Sequence, residues 1–171
     1  MQEQDDGELR TLIEDELSRI EEDCNHSGKA QFNAGTRWNS YHYWIGIPAV
    51  IASALAGTAF FKEMPEVGGV LAVMTAVLTT LQTFLKPSER ASAHKAAGDQ
   101  YLALRNDARV FRQIRLRHVC DRQSAIDGLD EFTSRRREMN LAAPQFANRD
   151  FKKAKKGIDA GESTHKVDGA A

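Results

Sequence analysis

Hydrophobic and polar positions fall along this chain in blocks. Two apolar runs, WIGIPAVIASALAGTAFF from Trp44 to Phe61 and VGGVLAVMTAVLTTLQTFL from Val67 to Leu85, interrupt hydrophilic flanks, and neither holds an Asp, Glu, Lys, Arg or His. Each approaches the ~20 residues a helix needs to cross a bilayer core. At ~1.5 Å rise per residue they reach roughly 27 and 28 Å, a little under a ~30 Å hydrocarbon layer. Only residues 62–66 join them. The pattern predicts a two-helix transmembrane hairpin. The alternative is a buried hairpin in a soluble protein, but a helix of that kind carries a polar stripe on its solvent face, and neither run has one. Aromatic residues gather at the expected interfaces: Trp38, Tyr41, Tyr43 and Trp44 before the first run, Phe60 and Phe61 at its end, and Phe84 near the end of the second. Such rings favour the headgroup layer.

The flanks read as helix. Leu9, Ile13, Leu17, Ile20 and Cys24 make an apolar seam on an acidic segment that also carries Glu14, Asp15, Glu21 and Glu22, so this helix needs a partner surface. Gly28 and Gly35 weaken it before the first apolar run, although Phe32 and Trp38 could continue it into that run. After Pro87, Ser88 is a candidate N-cap, and Ala97, Tyr101, Leu104, Ala108, Phe111 and Ile114 form a second seam on a helix reaching about Val119. A shorter helix is expected over 123–140, stopped by Pro144, and a last amphipathic piece over 150–158. The fold class is therefore an all-α membrane protein, a transmembrane hairpin between N- and C-terminal cytoplasmic amphipathic helices. Its parts are 1–42, the hairpin 43–86, the helical region 87–160 and a disordered tail, 161–171.

Charge sets the expected orientation. Segment 86–171 holds 18 of the 23 Lys and Arg residues, whereas the connecting loop has Lys62 alone against Glu63 and Glu66. Both termini are expected in the cytoplasm, with the hairpin in the inner (cell) membrane. The N-terminus MQEQDDGELR is acidic and has no apolar core, unlike a secretory signal. Cys24 and Cys120 are far apart in polar flanks, which excludes a CxxC metal knuckle and a disulfide framework and reads as two reduced, inert thiols. The five histidines have no metal-ligand spacing and no Gly-rich phosphate loop is present, so neither catalysis, a cofactor nor a metal is expected. His94 reads as a structural or interfacial histidine.

The order HSGKAQFNAGTRW, YWIGIPAVIASALAGTAFF, a short loop, a second apolar run ending in FLKPSERASAHKAAGDQYLALRNDAR, and then FKKAKKGIDAGE after a Pro, resembles the SLATT family, the SMODS- and SLOG-associating two-transmembrane effectors. The resemblance spans residues 10–162 and is most telling over KPSERASAH with Tyr101 and Leu104 at helical spacing. It implies a membrane effector of bacterial antiphage or conflict systems that assembles into a pore and depolarises the cell when a nucleotide signal is sensed. Homo-oligomerisation and a separate sensor protein are implied partners, along with the lipid bilayer.

Several residues bear on that expectation. Thr75, Thr79 and Gln82 share one helical face of the second run and are candidates to line a pore, which a single hairpin cannot enclose. The plainer reading is that such threonines bond back to the i−4 carbonyl or pack between helices, although an amide such as Gln82 would be poorly satisfied facing lipid. Ala49, Ser53 and Gly57, with Ala52 and Ala56 beside them, form a small-residue packing stripe, and Pro48 either starts or kinks the first membrane helix. Glu63 and Glu66 would ring the outer mouth of an oligomer, or are simply solvated loop charges. Arg105, Arg109 and Arg112 line one face of the second flank helix and, with Lys152 and Lys153, are candidates for lipid or phosphate contact. Interspersed acidic residues make ion pairing the competing account, and without an aromatic stacking platform no direct nucleic-acid contact is expected. A pore-forming effector and a non-conducting membrane scaffold both remain open, and the surroundings of Gln82, Thr75 and Thr79 discriminate between them.

Overall fold

The computed structural model describes residues 2–62, 64–118 and 121–163, and only the backbone of residues 2–4, 60 and 61. Its elements are α1 (Gln2–Phe61), α2 (Pro65–Leu85), α3 (Pro87–Val110), α4 (Leu116–His118), α5 (Arg122–Ala142) and α6 (Asn148–Asp159), with a π-helical turn, Phe111–Arg115, between α3 and α4. No strand occurs among the described residues. Contacts divide the chain into two units, Met1–Ala34 with Ala93–Ala171, and Gly35–Ser92.

The first unit is built on the two flank seams. Ile13, Leu17, Ile20 and Cys24 of α1 are buried in one cluster with Tyr101, Leu104, Ala108 and Phe111, joined by Leu116, Ala125 and Phe132. Each fully buried aliphatic side chain there contributes about 1.5–3 kcal/mol. The seams cover each other within one chain, apart from Ile114, which was expected in the second seam but is 55% exposed. Gly28 does not break α1, because it lies where α3 passes closely: a Cβ there would sit 3.2 Å from Tyr101 Cβ. Gly98 does the same beneath the Phe32 ring, whose Cε1 would lie 2.9 Å from an added Cβ. Close packing at these positions offsets the ~1 kcal/mol that glycine costs a helix.

Polar side chains finish this unit. Gln31 and His94, 1% and 4% exposed, meet at 2.5 Å through Oε1 and Nδ1, and Gln31 Nε2 donates to the Pro144 carbonyl at 2.8 Å. One side chain thus ties α1 to α3 and to the α5–α6 connection. Asp121 caps α5 by accepting from the Ser124 N–H at 2.7 Å, which lowers its carboxyl below the ordinary range. At the head of α6, Asp150 accepts from the Ala147 N–H at 3.1 Å.

The second unit contains the end of α1, the turn, α2 and the start of α3. Residues 44–61 continue α1, with Pro48 inside the helix and not at its start. Pro65 opens α2, where its missing N–H costs nothing. At the far end Lys86 takes a left-handed conformation, φ 46°, and its N–H closes α2 on the Gln82 carbonyl at 3.0 Å. Pro87 then begins α3, which places Ser88 within its first turn and not at the N-cap.

Candidate functional site

Among the described residues one helical stretch, within Pro65–His118, is long and apolar enough to cross a membrane, and its apolar part is α2, which has no buried residue. Val70 and Phe84 are 70% and 81% exposed, and Trp44 and Val50 of α1 are 78% and 71% exposed. The matching run in α1 ends on Phe60 and Phe61, whose side chains lie outside the described residues. A second span therefore rests on the composition of 44–61.

Within this unit the less exposed positions form two facing stripes. On α1 these are Ile45, Ala49, Ala52, Ala56 and Ala59, and on α2 Gly68, Leu71, Thr75, Leu78, Gln82 and Leu85. A Cβ at Gly68 would reach Ala59 Cβ at 3.8 Å. Ala49 belongs to this contact, but Ser53 and Gly57 are exposed, and a Cβ at Gly57 would meet nothing within 4 Å. The contact stripe is set by the 4–3–4–3 spacing from Ile45 to Ala59, which carries Ala52, Ala56 and Ala59 inward in place of the four-residue repeat.

Near the end of the hairpin that carries Lys86, the Gln82 amide Nε2 donates to His42 Nδ1 at 3.1 Å. Gly46 makes room for it, since a Cβ there would lie 3.3 Å from Nε2. The pair answers the question of what an amide does on an apolar helix: it is satisfied inside one hairpin. Thr75 Oγ1 donates back to the Leu71 carbonyl at 2.9 Å, and Thr80 and Thr83 do the same to Ala76 and Thr79. Thr79 is exposed, and its hydroxyl has no such bond among the described residues. Thr75, Thr79, Gln82, His42 and Ser53 nevertheless come together along an open groove of about 790 Å³, whose other walls are Tyr43, Ile47, Val50, Ile51 and small residues. Hydrogen bonding to His42 is the feature missed from sequence; its signal was a polar ring just before the first run and an amide near the end of the second.

Aromatic and basic residues flank this end of the hairpin. Trp38 packs edge-on against Tyr41 at 5.6 Å, and the guanidinium groups of Arg37 and Arg90 lie 5.3 and 4.8 Å from the Trp38 ring centre. Glu66 is exposed in the first turn of α2, and Glu63 lies outside the described residues.

The basic candidates separate by partner. Arg112 is held by Glu21 in a two-bond fork, 2.6 and 3.2 Å, and that carboxylate raises its pKa, so this guanidinium is already committed. Arg117 faces Glu14 at 3.1 Å, Arg135 faces Asp107 at 3.0 Å and Arg136 faces Asp23 at 3.1 Å. The acidic α1 is in this way matched by arginines of α4 and α5 and of the π-helical turn. Arg105 makes only a 3.4 Å bond to the Ser163 carbonyl. Arg109 is half-buried, and Lys152 and Lys153 are exposed on α6. Residues 161–163, the first of the stretch expected to be a disordered tail, lie in a turn whose Glu162 pairs with Lys29; residues 164–171 lie outside the described residues.

Among the described residues no three His, Cys, Asp or Glu side chains gather as a metal site. Cys24 is buried, and burial pushes its thiol up to about 11, while Cys120 lies outside the described residues. No family model matches the chain, and comparison with curated proteins and with solved structures finds no similar protein.

Proposed function

We propose that this protein is a membrane effector of the SLATT type, inserted by the 44–61 and 67–85 hairpin with both termini in the cytoplasm, and that several copies assemble to depolarise the cell in response to a signal sensed by a partner protein. The observation that carries the reading is the character of α2. Outside the stripe that faces α1 it exposes apolar side chains, and none of its residues is buried, while its polar groups, Thr75, Thr79 and Gln82, converge on one open groove. A helix of this kind is costly in water and suited to lipid. In an oligomer, the groove side supplies uncharged polar groups for a water-filled path while the remaining faces meet acyl chains.

A second reading, a non-conducting membrane scaffold, is favoured by a specific contact: Gln82 is hydrogen-bonded to His42 within the same hairpin. The self-covering seams of the other unit weigh the same way, since they remove one driving force for assembly. Thr79 separates the readings because it is exposed on the groove and does not hold the hairpin together. Expression of the wild type with its activating partner should depolarise cells, as read by a potential-sensitive dye, and purified oligomer should conduct in planar bilayers. Thr79→Leu should leave folding intact and abolish conduction by making the path liable to dewet. A wild-type oligomer that never conducts, or a Thr79→Leu variant as active as wild type, transfers the assignment to the scaffold.

A further inference from the structure

Away from the hairpin, the unit formed by 1–34 and 93–171 carries a surface cavity of about 340 Å³. Its walls are Asn25, Lys29 and Phe32 from α1, Leu102 and Arg105 from α3, and Glu162 and Ser163 from the turn after α6. Two cations from different helices point at that turn. Lys29 Nζ is ion-paired with Glu162, and Arg105 Nη2 donates to the Ser163 carbonyl at 3.4 Å. The α6 backbone leaves the space open: a Cβ at Gly157 would lie 2.4 Å from Glu162 Oε2 and 2.7 Å from Lys29 Nζ.

Other arginines of this unit are neutralised differently. Arg112, Arg117, Arg135 and Arg136 each face a carboxylate carried on a helix. Among the described residues the one carboxylate in the cavity's wall comes from a turn, is 61% exposed, and pairs with Lys29, while Arg105 meets the Ser163 carbonyl. Lys29 itself is 22% exposed, so its charge is partly withdrawn from water and depends on the anion beside it. Guanidinium and ammonium groups converging beside an amide and an aromatic ring have the donor set for a phosphate and the organic group that bears it.

We propose that this cavity is a binding site for a phosphate-bearing small molecule, with Glu162 as its built-in competitor. The phosphate takes the place of the Glu162 carboxylate on Lys29, engages Arg105 through two N–H groups, and frees the turn 160–163. Asn25 and Phe32 contact the rest of the ligand. The inference is independent of the membrane reading.

Calorimetry on the purified full-length chain tests it, with inorganic pyrophosphate and a nucleoside diphosphate as the probes. Glu162→Gln keeps the shape of the turn and removes the competing charge. If the closed turn occupies the site most of the time, apparent affinity for both probes should rise about five- to tenfold. Adding Arg105→Gln to that variant should bring affinity below wild type. In hydrogen exchange, ligand should speed exchange of the amides of 160–163 in the wild type while slowing none in α5. The proposal is overturned if Glu162→Gln binds no more tightly than wild type, if the Arg105→Gln addition leaves binding unchanged, or if neither probe binds any of the proteins. Tighter binding of the nucleoside diphosphate than of pyrophosphate assigns the Phe32 side to a base, and equal binding assigns the site to the phosphates alone.

Discussion

Replacing Gln31 with Leu tests the polar joint on which the larger unit closes. Gln31 is 1% exposed, and its amide answers two buried groups at once, His94 Nδ1 at 2.5 Å and the Pro144 carbonyl at 2.8 Å. Leucine fills a similar volume but leaves both without this partner. An unsatisfied buried group costs ~1–3 kcal/mol, and a leucine gains back part of that through apolar burial, so the expected loss is about 2–4 kcal/mol. For a unit of this size that lowers the melting midpoint by about 10 °C. The assay is reaction of Cys24 with a fluorogenic maleimide on heating in mild detergent, in a Cys120→Ser background. Cys24 is 1% exposed and reports the opening of this core directly. A double-mutant cycle with His94→Leu should show coupling between the two positions, because the Gln31–His94 bond is lost in either single variant. A midpoint shift below about 3 °C for Gln31→Leu would refute the reasoning, since the two bonds would then contribute less than a single buried group should.

Gly128→Ala should destabilise the same core by about 1–3 kcal/mol through overpacking, because its Cβ would fall 2.2 Å from Phe111 Cζ; Phe111→Leu should relieve it, as read in the same melt. A double-mutant cycle on Arg112 and Glu21, 21% and 13% exposed, should give a coupling of about 1–2 kcal/mol, whereas Arg117 and Glu14, 52% and 31% exposed, should couple by less than about 1 kcal/mol. Cys24 titrates from an ordinary 9.0 to about 11, so the folded form holds its proton more tightly than the unfolded form; its contribution to stability is intact below pH 9 and is lost as pH rises from 9 towards 11. Cys24→Ala should flatten that part of the stability profile measured by denaturant titration.

Much of the architecture is legible in the sequence because it is periodic. The seam from Ile13 to Cys24 and the one from Tyr101 to Phe111 announce two helices with buried faces, and Pro144 marks where α5 ends, whereas the Asp121 cap at its start is missed from sequence. What periodicity omits is the identity of the partner. A seam read alone calls for a partner surface without naming it, and three-dimensional closure shows that the two serve each other. Gly28 reads as a helix breaker by intrinsic preference, and tertiary packing against Tyr101 overrides it. The groove shows the same division. The face shared by Thr75, Thr79 and Gln82 is a matter of spacing, but the bond from Gln82 to His42 spans forty positions of sequence. Likewise Arg105 and Arg112 share a helical face yet differ in partner, one meeting a carbonyl and the other a carboxylate fork.

The central claim is that residues 44–61 and 67–85 cross a bilayer as a hairpin with both flanks on the cytoplasmic side. Single cysteines at Met64, which is 51% exposed in the turn between α1 and α2, and at Ser163, in the turn after α6, test it in intact cells. The background carries Cys120→Ser, and the buried Cys24 remains silent while the protein is folded. The account predicts that a membrane-impermeant maleimide labels Met64→Cys in intact cells and labels Ser163→Cys only after permeabilisation. Labelling of Ser163→Cys in intact cells, or protection of both sites together with recovery of the protein in the soluble fraction, would contradict it.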